Sequence, residues 1–240
     1  MKQPLIEVRD LRYRYDDDGA PALNGVNFRL FEGESVALLG PNGSGKTTFM
    51  LHLNGLLSGE GVIEVGGLPL NRRNLPGIRR KIGLVFQDSE SQLFMPTVLE
   101  DVAFGPINRG LDREAATQRA LAALKRVGME RAAGRAPYHL SAGEQKRVAI
   151  AGILATDPEI LALDEPTTFL DPPGQNDLAE LLAGLPQSKI VVTHNIPFAL
   201  ALCDRAVFFQ NGVIAAEGPV AEVAQRFGWD FALSRSNRRP

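Results

Sequence analysis

Four short, almost wholly apolar stretches punctuate the chain, at 36–39, 82–86, 160–163 and 190–192. They are too short for helices and lack polar alternation, so they predict strands buried on both faces, as in a parallel sheet. Helical patterns separate them, which predicts an α/β core. Other stretches alternate strictly. Ile6-Glu7-Val8-Arg9 and Leu11-Arg12-Tyr13-Arg14-Tyr15 read as strands, and so does Val26-Asn27-Phe28-Arg29-Leu30 after the turn-rich 16–19. A further strand at 61–67 ends in a turn, and together these predict an antiparallel β subdomain beside the core. Between Gln87 and Asp157 the pattern turns helical. The clearest case is 112–127, with Asp112 as its cap and Ala116, Leu121 and Leu124 on its apolar face. The expected organisation is one domain over 1–240. Its core and β subdomain take 5–95 and 157–225, and a helical subdomain takes 96–156. No repeat or low-complexity segment interrupts it, and the polar, basic tail 234–240 is expected to fray.

Composition adds bounds. With 44% hydrophobic and 22% charged residues over 240 positions, the chain can bury a core without staples. A net charge of −2 gives no general attraction to nucleic acid. Cys203 is the only cysteine, so an intramolecular disulfide is excluded, and its apolar helical context predicts a buried thiol. The N-terminus leads straight into strand-like sequence, and no signal peptide is expected. No apolar run nears the about 20 residues that span a bilayer. The run 148–155 is preceded by Lys146 and Arg147 and ended by Thr156-Asp157-Pro158.

The chemistry concentrates in Gly40-Pro41-Asn42-Gly43-Ser44-Gly45-Lys46-Thr47-Thr48, which lies between an apolar strand and Phe49-Met50-Leu51-His52-Leu53. G-x-x-x-x-G-K-T in a strand-to-helix context is a phosphate-binding loop. Its glycines let successive N–H groups face an anion, and the following helix adds its positive end. Lys46 can reach β- and γ-phosphates and the Thr47 hydroxyl can bind Mg²⁺, so a nucleoside triphosphate is the expected ligand. Downstream, Ile160-Leu161-Ala162-Leu163 ends in Asp164-Glu165. Beside such a loop, Asp164 can hold the Mg²⁺ water shell, as a Walker-B aspartate does. Glu165, expected to point the opposite way, can orient a water toward the γ-phosphate.

Leu140-Ser141-Ala142-Gly143-Glu144-Gln145-Lys146-Arg147 narrows the choice. Ser141 followed by Glu144 is a capping-box pattern. A helix N-terminus carrying a serine hydroxyl and the Gly143 amide can take an anion. The run resembles the signature motif of ATP-binding cassette ATPases, usually L-S-G-G-Q or L-S-G-G-E. That resemblance spans roughly 5–225 and implies further roles in family order. Gln87, after the 82–86 strand, matches the Q-loop glutamine that reaches Mg²⁺ and water. Thr168-Phe169-Leu170-Asp171 matches the D-loop, and His194 matches the switch histidine that senses the γ-phosphate. Tyr15 stands where an adenine-stacking aromatic sits. Tyr13 shares its strand face, so parity alone cannot choose between them. Ala142 in place of glycine and Phe169 in place of a small residue depart from the pattern. The added methyl is tolerable unless its position needs φ > 0.

The resemblance implies an ATP hydrolase built as a P-loop NTPase core with ATP and Mg²⁺ as ligands. It further implies a homodimer with two ATP molecules between head-to-tail subunits, each signature helix meeting the partner's γ-phosphate. DNA-maintenance members carry a long coiled-coil insertion and translation members two cassettes per chain. Neither is present, so transport is the expected service. The segment 86–94, Phe86-Gln87-Asp88-Ser89-Glu90-Ser91-Gln92-Leu93-Phe94, precedes Asp101-Val102-Ala103-Phe104-Gly105-Pro106. Together they resemble the energy-coupling-factor importers, with Ser89 where that group often has proline. This implies a peripheral subunit on the cytoplasmic face of the membrane. It would receive integral membrane subunits at 87–94, and Leu93, Phe94 and the following Met95 are expected to be exposed. Vitamin-type ATPases of that group often continue further, so the short C-terminal region resembles cobalt or nickel importers more, with biotin importers next.

Overall fold

The computed structural model describes residues 3–16 and 19–229. The tail 234–240, and Asp17 and Asp18 of the turn-rich segment, lie outside the described residues. The chain runs β1 (Ile6–Tyr13), β2 (Leu23–Leu30), β3 (Ser35–Leu39), α1 (Lys46–Leu53), β4 (Glu60–Val65), β5 (Leu68–Pro69), α2 (Leu75–Lys81) and β6 (Ile82–Val85). It continues with α3 (Val98–Asn108), α4 (Arg113–Arg126), α5 (Ala142–Leu154), β7 (Ile160–Asp164), α6 (Pro172–Ala183), β8 (Ser188–Val192), α7 (Ile196–Leu202), β9 (Arg205–Gln210), β10 (Val213–Gly218) and α8 (Val220–Arg226).

The four apolar runs become β3, β6, β7 and β8, all parallel, in a sheet of order β10-β9-β3-β8-β7-β6. Period-two alternation explains why they carry no polar positions. Ala37 and Leu39 of β3, with Leu161 and Leu163 of β7, enter one core. Val36, Leu38, Ile160 and Ala162 enter the other, on the opposite face. The first core is covered by α3 to α8. The second is covered by α1 and by the antiparallel sheet β2-β1-β4-β5. Two strands went unforeseen. β9 is a fifth parallel strand beside β3, and β10 returns antiparallel to it across the two-residue turn Asn211-Gly212, both at positive φ. Asn-Gly between apolar runs is a hairpin signal that should have marked them.

Two expectations on the N-terminal strands need correction. Residues 6–15 do not form two strands but one, β1, kinked where Asp10 adopts φ 49° and the register slips between Val8 and Leu11. The strand also stops at Tyr13, so alternation says nothing about Tyr15. In the helical stretch, α4 is capped as expected, with Asp112 Oδ1 accepting Ala115 N–H at 2.8 Å. Its buried face is Ala116, Ala120, Ala123 and Leu124, whereas Leu121 is only half-buried. Alanines bring this helix close to its neighbours.

Cys203 follows α7 and is buried, and removal from water pushes its thiol pKa up to about 12. The thiolate is the reactive form. At pH 8 the native thiol is therefore expected to react with an aromatic disulfide reagent at least about 10³-fold more slowly than the denatured chain. Matching native and denatured rates in a stopped-flow assay would contradict this burial.

Candidate functional site

The C-terminal ends of β3, β7 and β8 converge on a cavity of about 780 Å³. It is lined by 42–48 of the loop and by Tyr15, Gln87, Asp164, Glu165 and His194, residues that are far apart in sequence. The loop turns tightly because glycine permits it: a Cβ on Gly40, at φ 136°, would lie 2.2 Å from the Phe209 carbonyl oxygen. Gly40 and Pro41 do not line the cavity but serve it through Lys46. Its ammonium donates to their carbonyl oxygens at 2.7 and 2.9 Å, respectively. Burial lowers the pKa of Lys46, while Glu165 and Asp164 pull it back up. Ser44 Oγ is buried and makes no hydrogen bond, an orphaned donor inside the phosphate-sized turn.

Thr47 donates its hydroxyl to Asp164 Oδ2 at 3.1 Å. Burial raises the Asp164 pKa, against the Thr47 hydrogen bond and the charge of Lys46. A hydroxyl and a carboxylate facing each other are hard oxygen ligands, and their chemistry fits Mg²⁺. Glu165 departs from the expected direction. It does not point away from Asp164, because strand alternation ends at Asp164 and Glu165 takes φ 43°, which swings its side chain into the same cavity. Its Oε2 accepts the His194 backbone N–H at 3.3 Å. Its Oε1 lies 3.1 Å from His194 Nε2 but accepts no hydrogen bond, because the contact is poorly aligned. Burial pushes the Glu165 pKa up to about 7, with Asp164 adding to the rise. The same desolvation lowers the pKa of His194, as does the charge of Lys46.

Tyr15 hydrogen-bonds Thr48 Oγ1 at 3.0 Å and is exposed along the cavity wall, whereas Tyr13 packs edge-on against His52. Ser141, Gly143 and Glu144 are not brought to this cavity. They line another, of about 430 Å³, with Phe169, Leu170 and Asp171. The capping box is complete: Ser141 Oγ accepts Glu144 N–H, and the Glu144 carboxylate accepts Ser141 N–H at 2.8 Å. Those bonds hold Glu144 below the usual carboxylate range. Ala142 is the first residue of α5 with ordinary helical φ, so its methyl costs nothing. Phe169 differs. It adopts φ 67° and is 79% exposed, a backbone conformation that non-glycine residues rarely take.

Lys146 escaped sequence analysis. It is buried on α5 and donates to the carbonyl oxygens of Gln87 at 2.8 Å and Phe86 at 3.3 Å, tying the signature helix to the segment after β6. Burial pushes its pKa down to about 8. A lysine on the same helix face as Ala149 and Ile150 was the available signal. Gln92 completes the clasp by accepting Phe86 N–H and donating to the Leu84 carbonyl oxygen. Beyond it, Leu93 and Met95 are not exposed as expected. Leu93 packs on the core, and the Asp101 carboxylate accepts the Phe94 and Met95 N–H groups, leaving only Phe94 outward. Its ring meets Phe104 edge-on at 5.0 Å.

Comparison with known proteins matches 23–168 to the ABC transporter family. The energy-coupling factor transporter ATP-binding protein EcfA of Methanothermobacter thermautotrophicus is 46% identical over 225 residues, covering 91% of this chain and 72% of the relative. The structure of cbiO1 from Clostridium perfringens, part of the ABC transporter complex cbiONQ, superposes with a TM-score of 0.87 at 36% identity, covering 99% of this chain and 96% of that one. A dimeric post-hydrolysis structure of the ATP-binding cassette MJ0796 bound to ADP and Pi gives a TM-score of 0.79 at 33% identity, covering 90% and 98%.

The raised pKa of Glu165 carries a stability cost whose sign is fixed. Between about 4.5 and 7 the folded protein binds more protons than the unfolded chain, so this group's contribution to stability falls as pH rises through that window. In nucleotide-free protein, Glu165→Gln is expected to raise stability at pH 8 by roughly 3 kcal/mol, and by well under half of that at pH 5. Urea melts at the two pH values test this. Equal gains at both would mean that ionisation of Glu165 is not the cause.

Proposed function

The chain belongs to the ABC transporter family as an ATP-hydrolysing, ATP-binding subunit, and from that premise we propose that it energises an energy-coupling-factor importer, most specifically one for cobalt or nickel ions. The observation that carries this reading is Phe94. It is an exposed aromatic held against Phe104, at the end of the 86–94 segment whose sequence resembles that importer group. Likeness to EcfA and to cbiO1 supports the same group, and a complex with integral membrane subunits on the cytoplasmic face follows from it. No helix among the described residues is long and apolar enough to cross a membrane. Such a subunit would reach the bilayer through its partners.

In the proposed mechanism Lys46 exchanges the Gly40 and Pro41 carbonyl oxygens for the β- and γ-phosphates of ATP. Ser44 Oγ and the loop N–H groups complete the cradle, and Tyr15 stacks on adenine at the outer wall. Thr47, Asp164 and Gln87 would hold Mg²⁺, which when bound neutralises phosphate charge. The unpaired Oε1 of Glu165 is poised to accept a proton from the attacking water, and His194 senses the γ-phosphate. Ser141, Gly143 and Glu144 act on the partner's nucleotide, because their own cavity is separate from the loop. The working unit is therefore a two-fold dimer in which ATP joins the subunits and hydrolysis parts them. Within each subunit, 96–156 forms the helical subdomain that carries the signature. The core and β subdomain occupy 5–95 and 157–225.

Two outcomes are expected of the isolated chain. Glu165→Gln should bind ATP, elute as an ATP-dependent dimer and turn over at least about 10²-fold more slowly. Ser141→Arg should keep ATP binding but block closure, and mixing it with Lys46→Ala subunits should restore at most one working site per dimer. Full activity of Ser141→Arg alone, read by phosphate release, would rule out the shared site.

The importer reading predicts that Phe94→Asp leaves the ATPase rate and thermal midpoint of the isolated chain nearly unchanged. Assembly with the membrane subunit should be lost, because a charge would be buried unpaired. Leu93→Asp is expected to destabilise the chain itself, since Leu93 packs on the core. Identifying the integral membrane subunits that copurify with wild type tests the cargo. Normal assembly by folded Phe94→Asp would remove the docking site.

A further inference from the structure

The turn after α8 places an aromatic ring on the switch histidine. α8 ends in a Schellman arrangement: Gly228, at φ 68°, donates its N–H to the Gln225 carbonyl oxygen, and Trp229 N–H reaches the Ala224 carbonyl oxygen at 2.8 Å. Only a residue tolerant of positive φ makes this reversal cheaply, and the reversal turns Trp229 back toward the sheet. Its indole lies 5.3 Å from the His194 ring, with the planes 31° apart. The other contact fixes the indole: it stands edge-on to Phe208 of β9 at 5.3 Å, and Phe208 stacks face to face on Phe227. The ring is thus seated on the fold by its own neighbours and offers a face to His194.

His194 needs such a support. Its backbone is fixed by the bond to Glu165 and by Asn195, whose side chain caps α7 by accepting Phe198 N–H at 3.0 Å. The imidazole itself is 40% exposed, and its Nε2 contact with Glu165 is too poorly aligned to act as a hydrogen bond. Without a neighbour on its face, the ring would spread over its side-chain rotamers. We propose that Trp229 is a positioning residue for His194, its indole holding the imidazole in the orientation that faces Glu165 and the phosphate cavity. This inference rests on the role assigned to His194 above. Trp229 does not line the phosphate cavity, whereas His194 does, so it acts only through the histidine.

The test uses the whole chain and its single tryptophan, whose emission reports this indole alone. His194→Gln should change the emission of nucleotide-free protein, and an unchanged spectrum would overturn the contact. Trp229→Leu should lower kcat about tenfold with KM for ATP within about twofold of wild type, the signature of lost orientation rather than lost binding. Trp229→Phe, which keeps an aromatic face, should recover most of kcat. The double variant Trp229→Leu/His194→Gln should be no slower than His194→Gln, because both changes remove the same interaction. Losses that multiply in the double variant, or a normal kcat in Trp229→Leu beside an inactive His194→Gln, would overturn the proposal while leaving His194 its role. Wild-type turnover in His194→Gln would sink that role and the proposal together. Should Trp229→Leu fail to fold, the emission of His194→Gln and the kcat of Trp229→Phe decide. A Trp229→Phe rate as low as that of His194→Gln would contradict orientation by an aromatic face.

Discussion

Lys46, Asp164 and Glu165 meet at the C-terminal ends of β3 and β7 with much of their surface withdrawn from water. These three groups cannot fully compensate one another. Desolvation lowers the pKa of the lysine and raises those of both carboxyls, so burial disfavours the charged form of each. The loop meets part of the demand with backbone carbonyl oxygens, and Thr47 meets part with a hydroxyl. What remains is one buried ammonium with borrowed acceptors, one hydroxyl without a partner at Ser44 and one carboxylate oxygen without a hydrogen bond at Glu165. A polyanion suits the ammonium and the hydroxyl, whereas the carboxylate oxygen calls for a donor such as water. The parallel sheet, the two cores and the short loops above them hold these groups close enough for their discomfort to persist.

The sheet is also why the site was legible in advance. Strands buried on both faces announce themselves as apolar runs, and the residues that end them stand at the one rim where parallel strands present their C-termini. Lys46, Thr47 and Asp164 could therefore be placed from sequence pattern, and the family resemblance added Gln87 and His194. Side-chain direction was less accessible wherever the backbone left the regular regions. Glu165 at φ 43° and Phe169 at φ 67° do not obey strand parity, and Asp10 at φ 49° joins two apparent strands into one. Tyr15 lies past the end of β1, so its contact with Thr48 follows from a loop path that no periodicity encodes.

The residues that were missed share a different trait. Lys146, Trp229 and Gln92 sit in segments whose local pattern is ordinary, and each acts on a residue far away in the chain. A buried lysine in a helix or an aromatic after a helix cap has many possible partners, and only the tertiary structure selects one. Leu93 and Phe94 show the same limit at closer range. Two neighbouring apolar residues look equivalent in sequence, but Asp101 pins the Phe94 and Met95 N–H groups and sends one side chain inward and the other out.

Lys146 also fixes how displacement travels. Its ammonium grips the Gln87 carbonyl oxygen, and Ser141 lies at the N-terminal end of the same rigid helix, about 7.5 Å away along the axis. A push on the segment after β6 can proceed in two ways. It can strip a buried ammonium of its acceptors, which is costly, or it can carry α5 along with it. The cheaper course makes that helix a short connecting rod. One end rests on the segment proposed above to receive the membrane subunits. The other ends in a serine that lines a cavity separate from the subunit's own phosphate loop, so in the dimer proposed above strain entering one copy of the chain would be delivered to the nucleotide held by another.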